Sequence, residues 1–397
     1  MDVGSFDLAD PPPGFADDPF PWYAALQARS PVHGLGDGSW LLTRHADCAA
    51  VYRDARFSSD KTELFRPKFG NSPLYEHHTT SLVFNDPPYH TRVRRTIAEA
   101  LKPKNIQPVA RRLEAFVAER LAELRHRREC DLIEHFAAAV PVEIICTLLS
   151  VPASERGPLR RWSLAILGAL EPSIDAAAQC RGNAAVREFL AYLGDLIRHR
   201  RQHPPKDQTG VLQSLIDQTR DGELSEPELL HNCIFLLNAG HETTTNLIGN
   251  GIHMLITHPD SARQLRREPG LIRSAVEEAL RYQSPNQLGN RVAAASVEVA
   301  GHRFQAGDQI TLGIGAANRD EREFPDPHRF AIDRSPNRHL AFAAGSHTCA
   351  GNSLARLEGR IAIGGFVEAF EGAELAETPR YQQRLRFRGL ESLRVRL

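Results

Sequence analysis

A single cysteine, Cys349, stands among small residues in the segment FAAGSHTCAG, residues 342–351. An amphipathic helical pattern begins at this cysteine, and the free amide groups at a helix start stabilise a thiolate. A thiolate is a strong ligand for a soft or borderline metal. Because no second cysteine lies nearby, a four-ligand zinc site is disfavoured, and the pattern suits an iron whose other positions a porphyrin fills. The alternative is an ordinary buried cysteine.

A second candidate lies in NAGHETTTN, residues 238–246, inside a long apolar pattern. His241-Glu242 begins as the zinc-protease motif HExxH does, but Thr245 stands where that motif requires its second histidine. The zinc interpretation therefore fails. Consecutive threonines beside a glycine are unfavourable in a helix, since threonine hydroxyls compete for the carbonyl of residue i−4. The residues alone leave open a tolerated irregularity in a long helix.

Two further stretches carry charged residues at helical spacing. Glu278 and Arg281 lie three residues apart in EEALRYQSP, and His90 and Arg94 lie four apart in DPPYHTRVRRTIAEAL. Each pair shares one helix face and can reach one target. Taken alone, such pairs are ordinary solvated charges that contribute little to stability.

Taken in their order along the chain, from residue 86 to residue 351, the four stretches resemble the motifs of the cytochrome P450 family, the haem-thiolate monooxygenases. The cysteine segment matches the haem-binding motif of that family at Phe342, Gly345, His347, Cys349 and Gly351. The resemblance makes Cys349 the axial ligand of a haem b iron. It places Phe342 near the sulfur and implies that the two glycines allow a close backbone approach.

The resemblance also assigns the residues that handle oxygen and protons. Ala239, Gly240, Glu242 and Thr243 match the oxygen-binding groove of the family. Thr243 would hydrogen-bond dioxygen, the co-substrate, or its ordered water. Glu242 would relay protons from outside, although a pairing with solvent is the alternative.

Four basic residues match the family positions that bind the haem propionates, namely His90, Arg94, Arg291 and His347. A buried porphyrin with two negative charges needs such partners, because unpaired buried charge is costly.

The resemblance assigns three charged residues a structural role only. Glu278 and Arg281 match the Glu-x-x-Arg element, and Arg329 in FPDPHRF matches its later arginine partner. We expect this cluster to help fold the cysteine loop.

Family position also suggests where a small, mostly apolar organic substrate would bind. The residues named on this basis are Val83, Leu237, Asn238, Gln287 and Leu390. Asn238 and Gln287 fit a substrate with a polar handle, or else hydrogen-bond the backbone.

The elements that must position these residues follow from composition and periodicity. The chain has 397 residues, of which 42% are hydrophobic and 24% charged. Helical spacing dominates from residue 87 to about 256, and a hairpin around Gly36-Asp37-Gly38 and short later strands supply a small β portion. Residues 58–85 read as an irregular loop. We expect a mainly α protein with the cytochrome P450 fold, a single large domain over residues 1–397, and a long central helix across the haem.

Charge and segment composition limit the partners. The net charge of −1 gives no global field for nucleic acid, and no apolar window is long enough to span a membrane. The first 20 residues lack the pattern of a signal peptide, so we expect a cytoplasmic protein, taken as a monomer.

The resemblance implies a monooxygenase that inserts one oxygen atom from dioxygen into a substrate C–H bond. Electrons from NAD(P)H would arrive indirectly through a ferredoxin-type donor that docks on the Cys349 side. Candidate docking residues are Arg95, Lys102, Arg356 and Arg360. The alternatives are a peroxide-using haem-thiolate peroxygenase and a non-catalytic haem-binding protein.

Overall fold

The computed structural model of the protein describes residues 2–204 and 210–397. Its α-helices are α1 (Phe20–Arg29), α2 (His45–Arg53), α3 (Thr62–Phe69), α4 (Pro73–Thr80), α5 (Tyr89–Ala100), α6 (Pro103–Leu124), α7 (Ala139–Leu148), α8 (Leu159–Gly168), α9 (Ala176–Gln202), α10 (Val211–Arg220), α11 (Glu226–Thr257), α12 (Pro259–Arg267), α13 (Ile272–Tyr282), α14 (Ile314–Ala317) and α15 (Asn352–Ala369). Short 3-10 turns cover Leu82–Phe84, Ala153–Glu155, Pro269–Leu271 and Gly345–His347, and a π-helical turn covers Ile133–Ala137.

The strands are short and few beside the helices, which confirms the predicted mainly α class. They are β1 (Val32–Gly34), β2 (Trp40–Leu42), β3 (Phe57–Ser58), β4 (Glu129–Asp131), β5 (Leu288–Ala293), β6 (Val297–Val299), β7 (His302–Phe304), β8 (Gln309–Gly313), β9 (Glu374–Leu375) and β10 (Arg394–Arg396). The largest sheet has the order β1-β2-β8-β5-β3.

The predicted hairpin joins β1 to β2 in antiparallel register, with Val32 opposite Leu42. Gly38 in its turn has a φ of 81°, a conformation that glycine adopts without strain. β2 continues the sheet by parallel pairing with β8, and β5 pairs with the other edge of β8.

The longest helix, α11, follows the capping box that the sequence predicts. The amide of Ser225 donates to Glu228 Oε2 at 2.7 Å, and the amide of Glu228 donates to Ser225 Oγ at 3.4 Å. These reciprocal bonds satisfy two amide groups that a helix start leaves free. At about 1.5 Å per residue, its 32 residues extend over about 48 Å. In the described parts of the chain, no helix is long and apolar enough to cross a membrane.

The prediction of an irregular loop over residues 58–85 is wrong, because two helices, α3 and α4, lie within it. The residues that suggested a loop mark the helix boundaries instead. Gly70 ends α3, while Pro73 is the first residue of α4 and the hydroxyl of Ser72 accepts a bond from the amide of Tyr75. Sequence periodicity over eight residues is too short to show either helix.

The described chain forms two compact units. One comprises Met1–Ser58, Ala115–Val140 and Thr243–Leu397, and we call it the sheet unit because all of the strands lie in it. The other comprises Ser59–Glu114 and Pro141–Glu242, and we call it the helical unit. A single domain over residues 1–397 stays a prediction.

A buried ionic cluster in the sheet unit joins α13 to the chain that precedes the cysteine loop. The side chains of Glu278 and Arg281 are both fully buried, and two hydrogen bonds of 2.8 Å join their charged groups. Arg281 also donates to the carbonyls of Asn318 and Pro327, each at 2.9 Å. A buried charge needs this degree of satisfaction, because its desolvation is costly.

The third member of the cluster is Arg334, so the prediction of Arg329 is wrong. Arg334 Nε lies 3.1 Å from Glu278 Oε2, and the amide of Ala331 donates to Glu278 Oε1 at 2.9 Å. Arg329 contributes its backbone carbonyl, which accepts from Arg281 and Arg334 at 3.2 Å, and its side chain is exposed. The carboxylate is therefore bound by groups that follow Arg329 in the chain.

This arrangement predicts that Arg334→Ala destabilises the protein much more than Arg329→Ala. Removing the Arg334 guanidinium leaves part of the buried Glu278 charge unpaired, which costs about 3 kcal/mol. Truncating the exposed Arg329 side chain should cost less than about 0.5 kcal/mol. Denaturant unfolding of the two variants measures the difference, and equal losses would contradict the corrected assignment.

Glu358 is another buried carboxyl group, on α15, and among the described residues no cation pairs with it. Its side chain is 2% exposed, and among the described residues no donor hydrogen-bonds to its Oε2. Burial raises the pKa of Glu358 from 4.5 to about 8. The folded protein therefore holds this proton over a pH range in which the unfolded chain releases it, so its stability falls as pH rises from about 4.5 to about 8.

We expect Glu358→Gln to gain stability relative to the wild type as pH rises from 5 to 8, and the gain to level off above pH 8. The slope is at most about 1.4 kcal/mol per pH unit, because one proton is involved. Unfolding free energies across this range measure it. Glu368→Gln, which removes an exposed carboxylate from the same helix, is the control and should show no such slope. A constant difference between wild type and Glu358→Gln would show that Glu358 is ionised in the folded protein.

Candidate functional site

Backbone hydrogen bonds hold Cys349 in a tight loop of the sheet unit. Its amide donates to the carbonyl of Phe342 at 2.9 Å, and its own carbonyl accepts a 2.6 Å bond from Asn352 Nδ2. Helix α15 begins at Asn352, so the cysteine precedes the first helical turn. Cys349 is exposed, so the alternative of a buried structural cysteine is wrong. Within the described ranges, no three His, Cys, Asp or Glu side chains are grouped to hold a metal ion.

Two glycines are predicted to allow a close backbone approach. At one of them, Gly345, contacts within the protein already require a glycine. Its φ is 71°, and an added Cβ would lie 2.3 Å from the carbonyl oxygen of Tyr52. Both facts exclude a side chain at this position. An added Cβ at Gly351 would contact no described protein atom, so its predicted role toward a cofactor stays a prediction.

An ion-paired brace, which the sequence did not suggest, lies beside the cysteine loop. The guanidinium of Arg356 stacks over the Phe342 ring at 4.5 Å and binds Glu277 at 2.7 Å. His339 lies 3.1 Å from the same carboxylate. Burial raises the pKa of Glu277, but the hydrogen bonds from His339 and Arg356 outweigh it and lower that pKa to about 2. Arg356 thus has ionic partners within the protein, and its predicted docking role stays a prediction.

The predicted oxygen-handling residues lie in the middle of α11. Glu242 is 3% exposed, and Thr243, the next residue, is partly exposed. Gly240 packs closely in the helical unit, since an added Cβ would lie 3.3 Å from Ile145 Cδ1. Burial and nearby Arg160 lower the pKa of His241 to about 4, so this neighbouring imidazole is neutral at physiological pH.

The four predicted propionate ligands are divided between the two units. His90, which is buried, and Arg94, which is partly exposed, lie one turn apart on α5 in the helical unit. Arg291 on β5 and His347 in the 3-10 turn belong to the sheet unit. Their role as propionate ligands stays a prediction.

Within the sheet unit, Tyr52 contacts both Arg291 and the cysteine loop. The sequence analysis did not identify this residue. The Arg291 guanidinium lies 5.0 Å from the centre of the Tyr52 ring, and the Tyr52 carbonyl touches the position of Gly345. Burial raises the pKa of Tyr52, so its hydroxyl stays neutral. No local motif marks this residue, because its contacts are made by tertiary packing.

Among the predicted substrate residues, Gln287 has hydrogen-bond partners within the protein, and its contact with a substrate stays a prediction. Its Nε2 donates to the carbonyl of Ser284 at 2.7 Å, and Tyr23 donates to its Oε1 at 3.4 Å. The amide is therefore used to hold the protein together, which is the alternative that the sequence left open.

Asn238 differs from Gln287, because its amide oxygen is not used in this way. The residue is 2% exposed, and no described group hydrogen-bonds to its Oδ1. Val83 lies in a partly exposed 3-10 turn, and Leu237 is buried on α11. Leu390 is buried in the sheet unit.

Comparison with known proteins gives consistent relatives over most of the chain. The sequence profile of the cytochrome P450 family matches residues 173–385. The 6-deoxyerythronolide B hydroxylase of Saccharopolyspora erythraea is 36% identical over 389 residues, which cover 94% of this chain and 95% of that protein. The vitamin D(3) 25-hydroxylase of Pseudonocardia autotrophica is 38% identical over 354 residues, covering 88% and 86% of the two chains.

Solved structures agree with the relatives found by sequence. The structure of P450BioI in complex with an acyl carrier protein ligated to hexadec-9Z-enoic acid matches with a TM-score of 0.91 and 33% identity, over 96% of this chain and 99% of that one. A myxobacterial cytochrome P450 in complex with myristic acid gives a TM-score of 0.89 and 33% identity, over 97% of each chain. These matches extend over the cysteine loop, its ionic cluster and the long helix alike, and they establish that the chain belongs to the cytochrome P450 family of haem-thiolate monooxygenases.

Proposed function

We propose that this monooxygenase inserts one oxygen atom from dioxygen into a C–H bond of a small, mostly apolar organic substrate. The observation that carries the proposal is the state of Cys349: an exposed cysteine in a loop fixed by backbone hydrogen bonds and an adjacent ion-paired brace. A structural cysteine would be buried, whereas a metal ligand must be held open in a fixed orientation.

The residues present fit a haem b cofactor. Cys349 is an exposed cysteine, and an added Cβ at nearby Gly351 would contact none of the described protein atoms. We assign Cys349 as the iron ligand and His90, Arg94, Arg291 and His347 as the propionate partners. When bound, the haem supplies the oxygen activation, which electron donation from the thiolate favours.

Thr243 and Glu242 would manage oxygen and protons. The Thr243 hydroxyl, on a partly exposed residue of α11, would donate a hydrogen bond to dioxygen. Glu242, one residue earlier and buried, supplies protons toward it. A positioned donor of this kind favours the productive route over loss of peroxide.

Electrons come from NAD(P)H through a separate ferredoxin-type donor on the Cys349 side, and we place the protein in the cytoplasm as a monomer. Of the predicted docking residues, Arg95 pairs with Glu223 at 2.6 Å and Lys102 with Glu99 at 2.6 Å, but all four of these side chains are largely exposed. Such surface pairs are weak, so an acidic partner can compete for the cations.

The relatives indicate a range of substrates with long carbon skeletons. Their names include a hydroxylase of 6-deoxyerythronolide B, a vitamin D(3) hydroxylase and structures with fatty acids. Val83, Leu237 and Leu390 offer apolar contacts for such a molecule, and the free amide oxygen of Asn238 accepts a hydrogen bond from it.

Thr243→Ala should uncouple electron use from product formation. Without the hydroxyl, we expect product per NAD(P)H to fall by about tenfold or more while peroxide release rises. The reason is that no positioned donor would then direct proton delivery to the oxygen. Parallel assays of NAD(P)H, peroxide and product measure this. Thr243→Ser keeps the hydroxyl and is the matched control. Unchanged coupling in Thr243→Ala would remove Thr243 from the mechanism.

The same assays separate a monooxygenase from a peroxygenase. We expect turnover with a ferredoxin, its reductase and NAD(P)H, and little turnover with hydrogen peroxide alone. Efficient turnover with peroxide, unaffected by Thr243→Ala, would favour the peroxygenase. Haem binding without any turnover across a compound library would favour a haem-binding protein.

A further inference from the structure

A cleft of about 540 Å³ lies within the sheet unit, between the start of α1, the end of α11 and the chain near the C-terminus. Two arginines, Arg319 and Arg388, line it, although they are only 6% and 4% exposed. We call it the arginine cleft. Its volume is in the range of small-molecule sites in proteins. None of the residues assigned above to the haem, dioxygen or the substrate lines it.

Aromatic rings stack against both guanidinium groups. The guanidinium carbon of Arg319 lies 3.5 Å from the centre of the Tyr282 ring and 4.0 Å from that of Phe20. That of Arg388 lies 3.6 Å from the centre of the Tyr381 ring. All three rings also line the cleft. Stacking occupies the flat faces of a guanidinium, so its polar contacts are made by the N–H groups at its edge.

The Arg388 side chain uses only part of its hydrogen-bonding capacity within the protein. A guanidinium has five N–H groups. Arg388 donates three hydrogen bonds of 2.8 Å, to Oε1 of Gln283 and to the carbonyls of Ala16 and Asp17. Two N–H groups of Arg388 therefore have no acceptor among the described residues.

Arg319 has a similar set of neutral partners. Its Nε and Nη2 both donate to the carbonyl of Tyr282, at 3.1 and 2.7 Å, and its Nη1 lies 3.4 Å from His328 Nδ1. Two of its N–H groups likewise have no acceptor among the described residues. In the described part of the chain, no carboxylate forms an ion pair with Arg319 or Arg388. The cleft thus contains two buried cations that lack an anionic partner.

The electrostatics of the cleft agree with this count. Burial lowers the pKa of Arg388 and lowers that of Arg319 to about 10, so both groups stay charged at neutral pH. Burial, together with the neighbouring His258 and Arg388, lowers the pKa of His253 in the same cleft to about 4. A bound anion would offset this positive potential, because unpaired buried charge is costly.

Two aspartates also line the cleft, but both are exposed. Oδ1 of Asp18 accepts a hydrogen bond from the amide of Phe20 at 3.3 Å, and Oδ1 of Asp17 accepts one from Gln383 at 3.0 Å. The charge on Asp18 acts on Arg388 and raises its pKa, against the effect of burial. Water screens exposed charges, so these carboxylates offset the buried cations only in part.

We propose that the arginine cleft binds a small aromatic molecule that carries a carboxylate or a phosphate group. The anionic group accepts hydrogen bonds from the N–H groups that Arg319 and Arg388 leave unused, and the aromatic part contacts the rings that line the cleft. The volume of the cleft exceeds that of an inorganic ion, which favours an organic anion. This site is additional to the oxidation site, and the proposal does not depend on the monooxygenase function.

Calorimetry on the haem-loaded protein, without an electron donor, tests the proposal with benzoate, phenyl phosphate, benzyl alcohol and benzylamine. Charge-assisted hydrogen bonds should make at least one of the two anions bind about tenfold more tightly than the alcohol and the amine. The tighter anion identifies the group that the site prefers. Absence of binding by both anions, or equal binding of the alcohol, overturns the proposal. Equally tight binding of inorganic phosphate would indicate an adventitious ion only and overturns it as well.

Asp18→Asn locates the binding at this cleft. Removing the exposed charge near Arg388 should strengthen binding of the preferred anion by about threefold at low salt. Asp37→Asn is the matched control, because Asp37 is also exposed in the sheet unit and its Oδ1 also accepts a backbone amide two residues on. Asp37→Asn should leave the affinity unchanged.

Arg319→Gln should weaken anion binding by about tenfold, because charge-assisted hydrogen bonds are lost. Unchanged affinity in a folded Arg319→Gln variant would overturn the proposal. If that variant does not fold, Asp18→Asn still decides, since an affinity equal to that of the wild type would place the anion elsewhere.

Discussion

The charge on Glu278, fully removed from water, is the constraint on which the site depends. Its carboxylate is bound by the guanidinium groups of Arg281 and Arg334, by the amide of Ala331 and by the side chain of Asn337. A buried carboxylate is tolerated only when its lone pairs are filled in this way. The donors come from α13 and from the chain that leads to the cysteine loop, so satisfying one charge fixes the path of that chain.

A second carboxylate, that of Glu277, holds the residues on either side of the cysteine loop. Glu277 is the neighbour of Glu278 in the sequence. It binds Arg356 from α15 and His339 from the incoming chain, and Arg356 in turn covers the Phe342 ring. Adjacent residues on α13 thus hold both sides of the cysteine loop. The result is an exposed cysteine on a support fixed by ion pairs, which suits a metal ligand, whereas most free cysteines are buried.

The motifs that carry chemistry could be predicted from the sequence because each is local. Spacing alone identifies three of them: the ten residues around Cys349, the pair Glu278 and Arg281, and the capping box of α11. Arg334 could not be chosen over Arg329, because the loop geometry decides which of two nearby arginines reaches the carboxylate.

Packing over long sequence separations explains the other differences. From the sequence, Gln287 is a polar residue near the expected substrate site. Its hydrogen bond from Tyr23 could not be predicted, because Tyr23 is far away in the chain. Tyr52 and Gly345 form a contact that no pattern records. The helices within residues 58–85 are each too short for a periodic signal, and Arg319 meets the Phe20 ring only because residues far apart in the chain pack together.

The central claim is that the Cys349 thiolate is the axial iron ligand, and the absorption spectrum of the reduced, carbon monoxide-bound protein tests it most directly. The wild-type protein should show the red-shifted Soret band that is characteristic of haem-thiolate proteins. Cys349→His should retain haem but lose that shift, whereas Cys180→His, which changes the other exposed cysteine, should keep it. A red-shifted band that survives in Cys349→His would show that another group ligates the iron.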